Sequence, residues 1–203
     1  MQDPFKITEP TVISFSGGRT SAYLLWRVLQ SNNGLPDDAI VLFANTGKEE
    51  EATLQFVKDC SDKWNVPITW LEYVWDEEPS KRFKVVDFKT ASRNGEPFFE
   101  LLRHSPNLPN PVARTCTAKL KIRVIDKYVK SLGRENNENT DWMGIRADEP
   151  RRASKVDISR VPLFVDGITK YDISKFWSEQ NFDLGLPNMN CTTMHVNCDL
   201  CFL

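Results

Sequence analysis

Four cysteines are spaced in a way that suits a metal site. Cys191, Cys198 and Cys201 fall within the last 13 residues, and the last two have the C-x-x-C spacing of paired thiolate ligands. Cys116 opens a predicted helix, whose dipole favours the thiolate form that a metal needs. The four thiols would complete a site for a 4Fe-4S cluster or for Zn²⁺. His195 is an alternative zinc ligand. A third possibility is that the cysteines are buried free thiols and bind no metal.

A glycine turn at residues 16–21 is the second feature that could do chemistry. It reads SGGRTS and lies between a predicted strand and a predicted helix, where backbone N–H groups and the helix dipole favour an anion. Its hydroxyls and Arg19 could add donors to phosphate oxygens. The turn is neither a Walker A sequence nor a G-x-G-x-x-G fingerprint, and an ordinary strand-to-helix turn is the alternative.

The elements around this turn alternate between strand and helix. A β-branched run ends at the glycine turn, and a continuous apolar run of the kind buried on both faces of a parallel sheet ends at a second small-residue turn, Asn45-Thr46-Gly47. This alternation predicts a doubly wound α/β domain with a mainly parallel sheet. We expect strands at 11–15, 39–44 and 68–74 and helices at 20–30 and 49–59.

The second half of the chain has a less regular pattern. Residues 75–111 are charged and proline-rich, with one short helix predicted at 97–103, and they could form a mobile flap beside the site. Further on, we expect a helix at 116–131, a fourth strand at 142–145 and a last helix at 173–180. The predicted organisation is one nucleotide-binding domain, residues 1–180, followed by a cysteine-bearing tail, residues 181–203.

Composition narrows the classes of function. The 203 residues carry 26 Lys and Arg against 28 Asp and Glu, a net charge of −2, so no overall basic field recruits nucleic acid. No run approaches the roughly 20 apolar residues of a membrane helix. The number of cysteines, five, is odd, which argues against a secreted disulfide framework. We therefore expect a cytoplasmic protein without a membrane partner. With only two histidines, Ser-His-Asp hydrolysis has little support.

Four segments in order resemble one family. The segments ISFSGGRTSAYLL, FANTGKEEEATLQFV, RTCTAKLKIRVI and GIRADEPRR look like the phosphoadenylylsulfate (PAPS) reductase branch of the PP-loop adenine-nucleotide α-hydrolase superfamily. A fifth, VPLFVDGITKYDISKFW, is similar to the segment that follows in that family. The resemblance covers most of the chain and implies an adenine nucleotide, ATP or PAPS, bound at the carboxyl ends of the first, second and fourth strands.

The resemblance also implies roles for individual residues. The glycine turn would hold the phosphate or sulfate end of the nucleotide, the second turn would lie beside it, and basic residues would close the pocket, with Ser16, Lys119 and Arg146 acting at the reacting group. Many relatives carry Asp where this chain has Asn45, which leaves a Mg²⁺ role there open. The implied nucleotide-binding residues are Ser16, Gly17, Gly18, Arg19, Thr20, Ser21, Asn45, Thr46, Gly47, Arg114, Lys119, Lys121, Gly144, Arg146 and Arg152.

The chain differs from the family in its cysteine motifs. Relatives with a 4Fe-4S cluster hold it with a tandem Cys-Cys and a C-x-x-C, whereas here Cys116 is single and Cys191 would supply the missing thiolate. The precedent at Cys116 favours the cluster over zinc. Family reductases also use a C-terminal Glu-Cys-Gly-x-His segment as the nucleophile, and nothing like it occurs in this sequence.

Three functions therefore stand as hypotheses. The first is an ATP pyrophosphatase-type enzyme that adenylates an acceptor, with subsequent thiolation or other substitution. The second is a sulfonucleotide reductase with an atypical nucleophile, and the third is a nucleotide- or nucleic-acid-binding protein without catalysis. The acceptor, whether tRNA, DNA or a small molecule, and assembly into a homo-oligomer are left open by the sequence.

Overall fold

The apolar, β-branched runs of the chain pair into one five-stranded sheet. The computed structural model describes residues 3–105, 115–134 and 140–193, so Arg114, His195, Cys198 and Cys201 lie outside the described residues. The strands are β1 (Thr11–Phe15), β2 (Ala39–Asn45), β3 (Ile68–Glu72), β4 (Lys84–Val86) and β5 (Thr140–Met143). Their order is β4-β3-β2-β1-β5, and every pair is parallel except β3 with β4.

Helices connect these strands. The α-helices are α1 (Arg19–Asn32), α2 (Glu51–Trp64), α3 (Glu96–Arg103), α4 (Arg123–Ser131), α5 (Pro150–Ala153), α6 (Pro162–Val165) and α7 (Lys170–Ser178). A π-helix at Thr117–Ile122 leads into α4, and a small hairpin pairs β6 (Asn188–Met189) with β7 (Thr192–Thr193). Across the three described stretches, none of the helices has the length and apolar character needed to cross a membrane.

Apolar side chains cover both faces of the sheet. Alternate residues of a strand point to opposite faces, and Ile13 and Phe43 belong to a core cluster with residues of α1, α2 and α7. Val12 and Leu42 belong to a second cluster with residues of α3, the π-helix and α4. The sheet is thus buried between two helical layers, which explains why its central strands are apolar without alternation.

The predicted α/β class with a mainly parallel sheet is confirmed, with corrections to single elements. The third strand ends at Glu72, the fourth parallel strand lies at 140–143, and the last helix begins at Lys170. Strand β4, which lies in the segment predicted to lack regular structure, is only three residues long. So short a run shows no hydrophobic periodicity, and its pairing with β3 is a tertiary contact.

The strand order creates a crevice at β1. From β1 the chain moves to β2 on one side, and later returns to β5 on the other side of β1. In open parallel sheets such a reversal leaves a crevice outside the carboxyl ends of the two flanking strands, where ligands bind. The glycine turn follows β1, and Gly144 to Arg146 follow β5, so both lie at this crevice.

Candidate functional site

The turn at residues 16–21, called the cradle below, is built around Gly17. Gly17 has a φ of +80°, and a Cβ there would lie 2.6 Å from Cγ2 of Thr53 in α2. Inside the turn, the Ser16 backbone N–H donates to Ser21 Oγ at 3.2 Å, and the two serine hydroxyls are 3.0 Å apart. Only glycine satisfies both the dihedral angle and the close approach to α2.

The cradle leads into a helix end that no side chain caps. Gly18 is the N-cap of α1, and the first turn of α1 holds no acidic residue. The first N–H groups of a helix lack partners within the helix. With the positive end of the helix dipole, these donors favour an anion in the crevice.

The end of β5 closes onto the cradle. A Cβ at Gly144 would lie 3.2 Å from both Cα and N of Ser21, so this position also needs a small residue. Two residues on, Arg146 Nη1 donates to Thr20 Oγ1 at 3.3 Å. Asp148 holds the guanidinium in place through bonds of 2.9 and 3.2 Å from Nε and Nη2. The structure therefore sets a fixed cation beside the cradle.

A pocket of about 300 Å³ opens between the cradle and the C-terminal part of the chain. It is walled by the cradle, the end of β5, helices α5 and α7 and the β6–β7 hairpin. The described lining residues are Ser16, Gly18, Arg19, Thr20, Gly144, Arg146, Arg152, Lys170, Ile173, Ser174, Cys191, Thr192 and Thr193. The lining described here includes four cationic side chains and no carboxylate.

Neighbouring carboxylates hold two of these cations from outside the pocket. Asp148 pairs with Arg146, and Glu149 accepts from Arg152 Nη1 at 2.5 Å and lies 3.4 Å from Arg146 Nη1. Burial works against ionisation of Asp148, but the hydrogen bond and the charge of Arg146 hold its pKa below the ordinary value. The carboxylates thus orient the guanidinium groups and leave the pocket surface cationic.

Arg19 lines the pocket, and its guanidinium also has partners within the protein. Its buried guanidinium donates to both carboxylate oxygens of Asp183, at 2.6 and 2.5 Å, and to Thr193 Oγ1 and the Leu186 carbonyl oxygen, each at 3.0 Å. We call this group of four residues the Arg19 clasp. It ties residues 183–193 to the first turn of α1, and so fixes the hairpin that forms one wall of the pocket.

The second turn is occupied by hydrogen bonds within the protein. Asn45 donates to Glu72 Oε1 at 2.6 Å and to the Ser92 carbonyl, and its own oxygen accepts from Gly47 N–H. Glu49 Oε2 accepts from the Thr46 N–H and hydroxyl, both at 2.8 Å. These contacts give the side chain of Asn45 a structural role in the turn, and a Mg²⁺ role there stays a prediction.

Two predicted phosphate-binding lysines lie away from the cradle pocket. Lys121 pairs with buried Glu49 at 3.1 Å, because the π-helix packs beside the second turn. Lys119 donates to Ser105 Oγ at 3.2 Å. Neither belongs to the lining of the pocket, whereas Ser16, Gly18, Thr20, Gly144, Arg146 and Arg152 do. Arg114, the remaining basic residue of that prediction, lies outside the described residues.

The predicted cysteine site is described only in part. Cys116 is half-buried against the cluster that contains Phe98 and Leu101, and Cys191 lies in the pocket wall. Over residues 3–105, 115–134 and 140–193, no group of three or more His, Cys, Asp or Glu residues could hold a metal ion. Two thiols are too few ligands for a cluster or zinc, so a metal at Cys116, Cys191, Cys198 and Cys201 stays a prediction.

Several pocket residues were absent from the sequence prediction. Lys170 and Ser174 reach the pocket because α7 begins at Lys170, directly after the N-cap Thr169, whose capping box with Asp172 fixes the first turn. The spacing Thr169-x-x-Asp172 is a local signal that could have placed this start earlier than residue 173. No local sequence pattern indicated that Asp183 would contact the cradle, because its partner Arg19 lies 164 residues away in the chain.

Comparison with known proteins finds relatives in a phage and an archaeon. No protein-family model matches the chain. The chain is 33% identical over 197 residues to the uncharacterized nin region protein ORF290 of Escherichia phage lambda, an alignment that covers 94% of this chain and 64% of the phage protein. It is 28% identical over 158 residues to the uncharacterized protein MJ0066 of Methanocaldococcus jannaschii, covering 76% of this chain and 27% of that protein. The chain thus spans less than two thirds of the length of each of these relatives.

Proposed function

We propose that this protein is a PP-loop enzyme of the PAPS reductase type that binds an adenine nucleotide in the pocket beside the cradle. The observation that carries the proposal is the uncapped N-terminus of α1, which lies at the reversal of strand order and faces the Arg146 guanidinium. Backbone donors, a helix dipole and a fixed cation together suit a phosphate chain.

The proposed reaction is transfer of an adenylyl group. An acceptor oxygen attacks the α-phosphorus of ATP, and pyrophosphate leaves into the cradle. The backbone N–H groups of α1 and the guanidinium of Arg146 would stabilise the negative charge that grows on the leaving pyrophosphate. Because Asp148 and Glu149 already hold Arg146, little reorganisation is needed as the charge develops.

Calorimetry with ATP, AMP and PAPS tests the nucleotide site. Arg146→Met removes a charge-assisted contact and should weaken ATP binding about tenfold or more. Arg151→Met is the matched control, because Arg151 is an exposed cation on α5 outside the described pocket lining. The proposal fails if none of the three nucleotides binds at millimolar concentration, or if both variants weaken ATP binding equally.

A second candidate function rests on Cys191. Cys191 belongs to the wall of the same pocket, where its thiolate could attack the sulfonyl sulfur of a bound sulfonucleotide. The S–S bond would form as the sulfur–oxygen bond to the nucleotide phosphate breaks, and a dithiol reductant such as thioredoxin would then release sulfite. This reading is the sulfonucleotide reductase with an atypical nucleophile.

Product analysis separates the candidates. Pyrophosphate release from ATP supports adenylyl transfer, while thioredoxin-dependent sulfite release that is lost in Cys191→Ser supports reduction. Nucleotide binding without either product supports a binding protein that keeps the fold. The 4Fe-4S cluster or Zn²⁺ proposed at the cysteines takes no part in adenylyl transfer, and the reductase candidate requires instead a Cys191 thiol that no metal binds.

A further inference from the structure

A second pocket lies at the end of α1 opposite the cradle. Its volume is about 340 Å³, and its described lining comes from residues 26–35, in α1 and the turn after it, and from Trp64 and Asn65 at the end of α2. Helix α1 has 14 residues, which makes it about 20 Å long, so this pocket is separate from the one beside the cradle. We call it the tryptophan pocket, after Trp26 and Trp64 in its walls.

The carboxyl ends of two helices meet at the tryptophan pocket. Asn33 and Asn65, the left-handed C-cap residues of α1 and α2, both line it. The last C=O groups of a helix lack partners within the helix, and the negative end of the helix dipole favours a cation there. Helix α1 has no basic residue in its last turn. The Ser31 carbonyl at this end accepts from Lys6 Nζ at 3.4 Å, an ammonium contact of the kind that the dipole favours.

The two tryptophans add aromatic surfaces that suit a cation. Both side chains are half-buried and line the pocket. The Trp26 ring packs on Phe176 with 4.6 Å between centroids, and the Trp64 ring packs on Phe182 at 5.8 Å, so other rings hold both indoles in place. In the described part of the chain, no Lys or Arg lies over either indole, and Lys63 lies over Phe182 instead. Tryptophan is the best cation–π partner among the aromatic side chains.

The chemistry of the lining favours a guanidinium group over other ions. The described lining has no charged side chain, so a hard metal ion would lack carboxylate ligands, and an anion would meet the negative ends of two helices. The side-chain amides of Gln30, Asn33 and Asn65 and the helix-end carbonyls supply oxygen acceptors. A guanidinium group stacks on aromatic rings and also donates hydrogen bonds in its plane, whereas a quaternary ammonium group has no N–H to donate.

We propose that the tryptophan pocket binds a guanidinium group, carried either by a small molecule or by an arginine of a protein segment. This site does not rest on the proposed function, because it lies at the other end of α1 from the cradle. Calorimetry with nucleotides therefore tests the proposed function independently of the tryptophan pocket.

The test follows the indole N–H signals of Trp26 and Trp64 by NMR in the isotope-labelled full chain, at constant ionic strength. The spectra of Trp26→Phe and Trp64→Phe identify the two signals. The probes are methylguanidinium, free arginine and a blocked glycine–arginine–glycine tripeptide, with tetramethylammonium and sodium as comparison cations. Gln30→Lys is the test variant, because Gln30 is exposed and its replacement brings a positive charge to the pocket. Gln55→Lys is the matched control on α2, outside the described lining.

We expect methylguanidinium to shift both indole signals in a saturable way, more strongly than tetramethylammonium, while sodium has no such effect. Gln30→Lys should weaken this binding about fivefold or more by charge repulsion, and it should keep the fold because a lysine in the last turn of a helix suits the dipole. Gln55→Lys should leave the affinity unchanged. Tighter binding of the tripeptide than of free arginine would support the proposal with a protein segment as the source, and the reverse order would support it with a small molecule.

Three results would overturn the proposal. The first is the absence of a saturable shift of both indole signals with methylguanidinium. The second is equal binding of tetramethylammonium, because the oxygen acceptors would then contribute nothing. The third is an equal loss of affinity in Gln30→Lys and Gln55→Lys, which would reflect the net charge of the protein and not this pocket.

Discussion

Removing the carboxylate of the Arg19 clasp should destabilise the protein more than removing a surface carboxylate. The Arg19 side chain is only 8% exposed, and Asp183 accepts two short hydrogen bonds from it. Asp183→Asn keeps the volume but leaves a buried guanidinium without its counter-charge. Because Asp183 is itself 39% exposed, water can replace part of the lost contact, and we expect a cost of about 2 kcal/mol in the free energy of unfolding.

A control pair of similar geometry lies on the surface. Arg93 contacts Glu51 at 2.8 Å, with 32% and 60% of the two side chains exposed. Exposed pairs of this kind contribute about 0–1 kcal/mol, so Glu51→Gln should cost less than Asp183→Asn. For a chain of this length, the larger cost corresponds to a fall in the melting temperature of roughly 4–8 °C.

Urea denaturation at two salt concentrations measures both costs. The difference in the free energy of unfolding between Asp183→Asn and wild type should change little as salt is added, because salt screens a buried ion pair only weakly. The corresponding difference for Glu51→Gln should become smaller. Adding Arg19→Met completes a double-mutant cycle, which isolates the coupling between Arg19 and Asp183. If Asp183→Asn costs no more than Glu51→Gln, the clasp does not fix residues 183–193 in the way that we argue.

Three further predictions concern the cradle, the first turn of α7 and the cysteines. Gly17→Ala should prevent nucleotide binding and destabilise the fold, because the added Cβ would lie 2.6 Å from Thr53. Gly133→Ala is the control: Gly133 has a similar positive φ but open space around it, so the substitution should cost only the backbone strain, about 1 kcal/mol in the free energy of unfolding. Equal effects of the two substitutions would contradict the clash with Thr53. Hydrogen bonds from Thr169 hold the pKa of Asp172 below its ordinary 3.8, so its contribution to stability is present above that pH and is lost as the pH falls through the lower folded-state value. Asp172 is exposed, so solvent screens its charge, and Asp172→Asn should cost only about 0.5 kcal/mol at neutral pH and nothing at pH values where both states are protonated, as pH-dependent urea denaturation would show. Anaerobic purification with metal analysis should give a brown protein with about four irons per chain for a cluster, or a colourless one with one zinc, and a metal-free protein whose stability is unchanged in Cys198→Ser would contradict both.

The sequence was sufficient for those features that depend on local patterns. Apolar runs that end at small-residue turns identified β1 and β2, and helical periodicity identified α1 and α2, because strand and helix repeats are written into consecutive residues. The cradle was also predictable. A glycine turn between a strand and a helix is a contiguous motif, and the backbone groups that it exposes depend little on the rest of the chain.

Contacts between distant segments were decided by the tertiary structure. The sequence suggested Arg19 as a possible donor to phosphate, but it gave no sign that the fold brings Asp183 to Arg19 across 164 residues. Lys121 was expected at the same phosphates, and the packing of the π-helix pairs it with Glu49. A charged side chain chooses its partner by proximity and burial, and neither quantity is encoded in the spacing of neighbouring residues. For the same reason Lys170 and Ser174 became visible as pocket residues only when α7 was placed against the cradle.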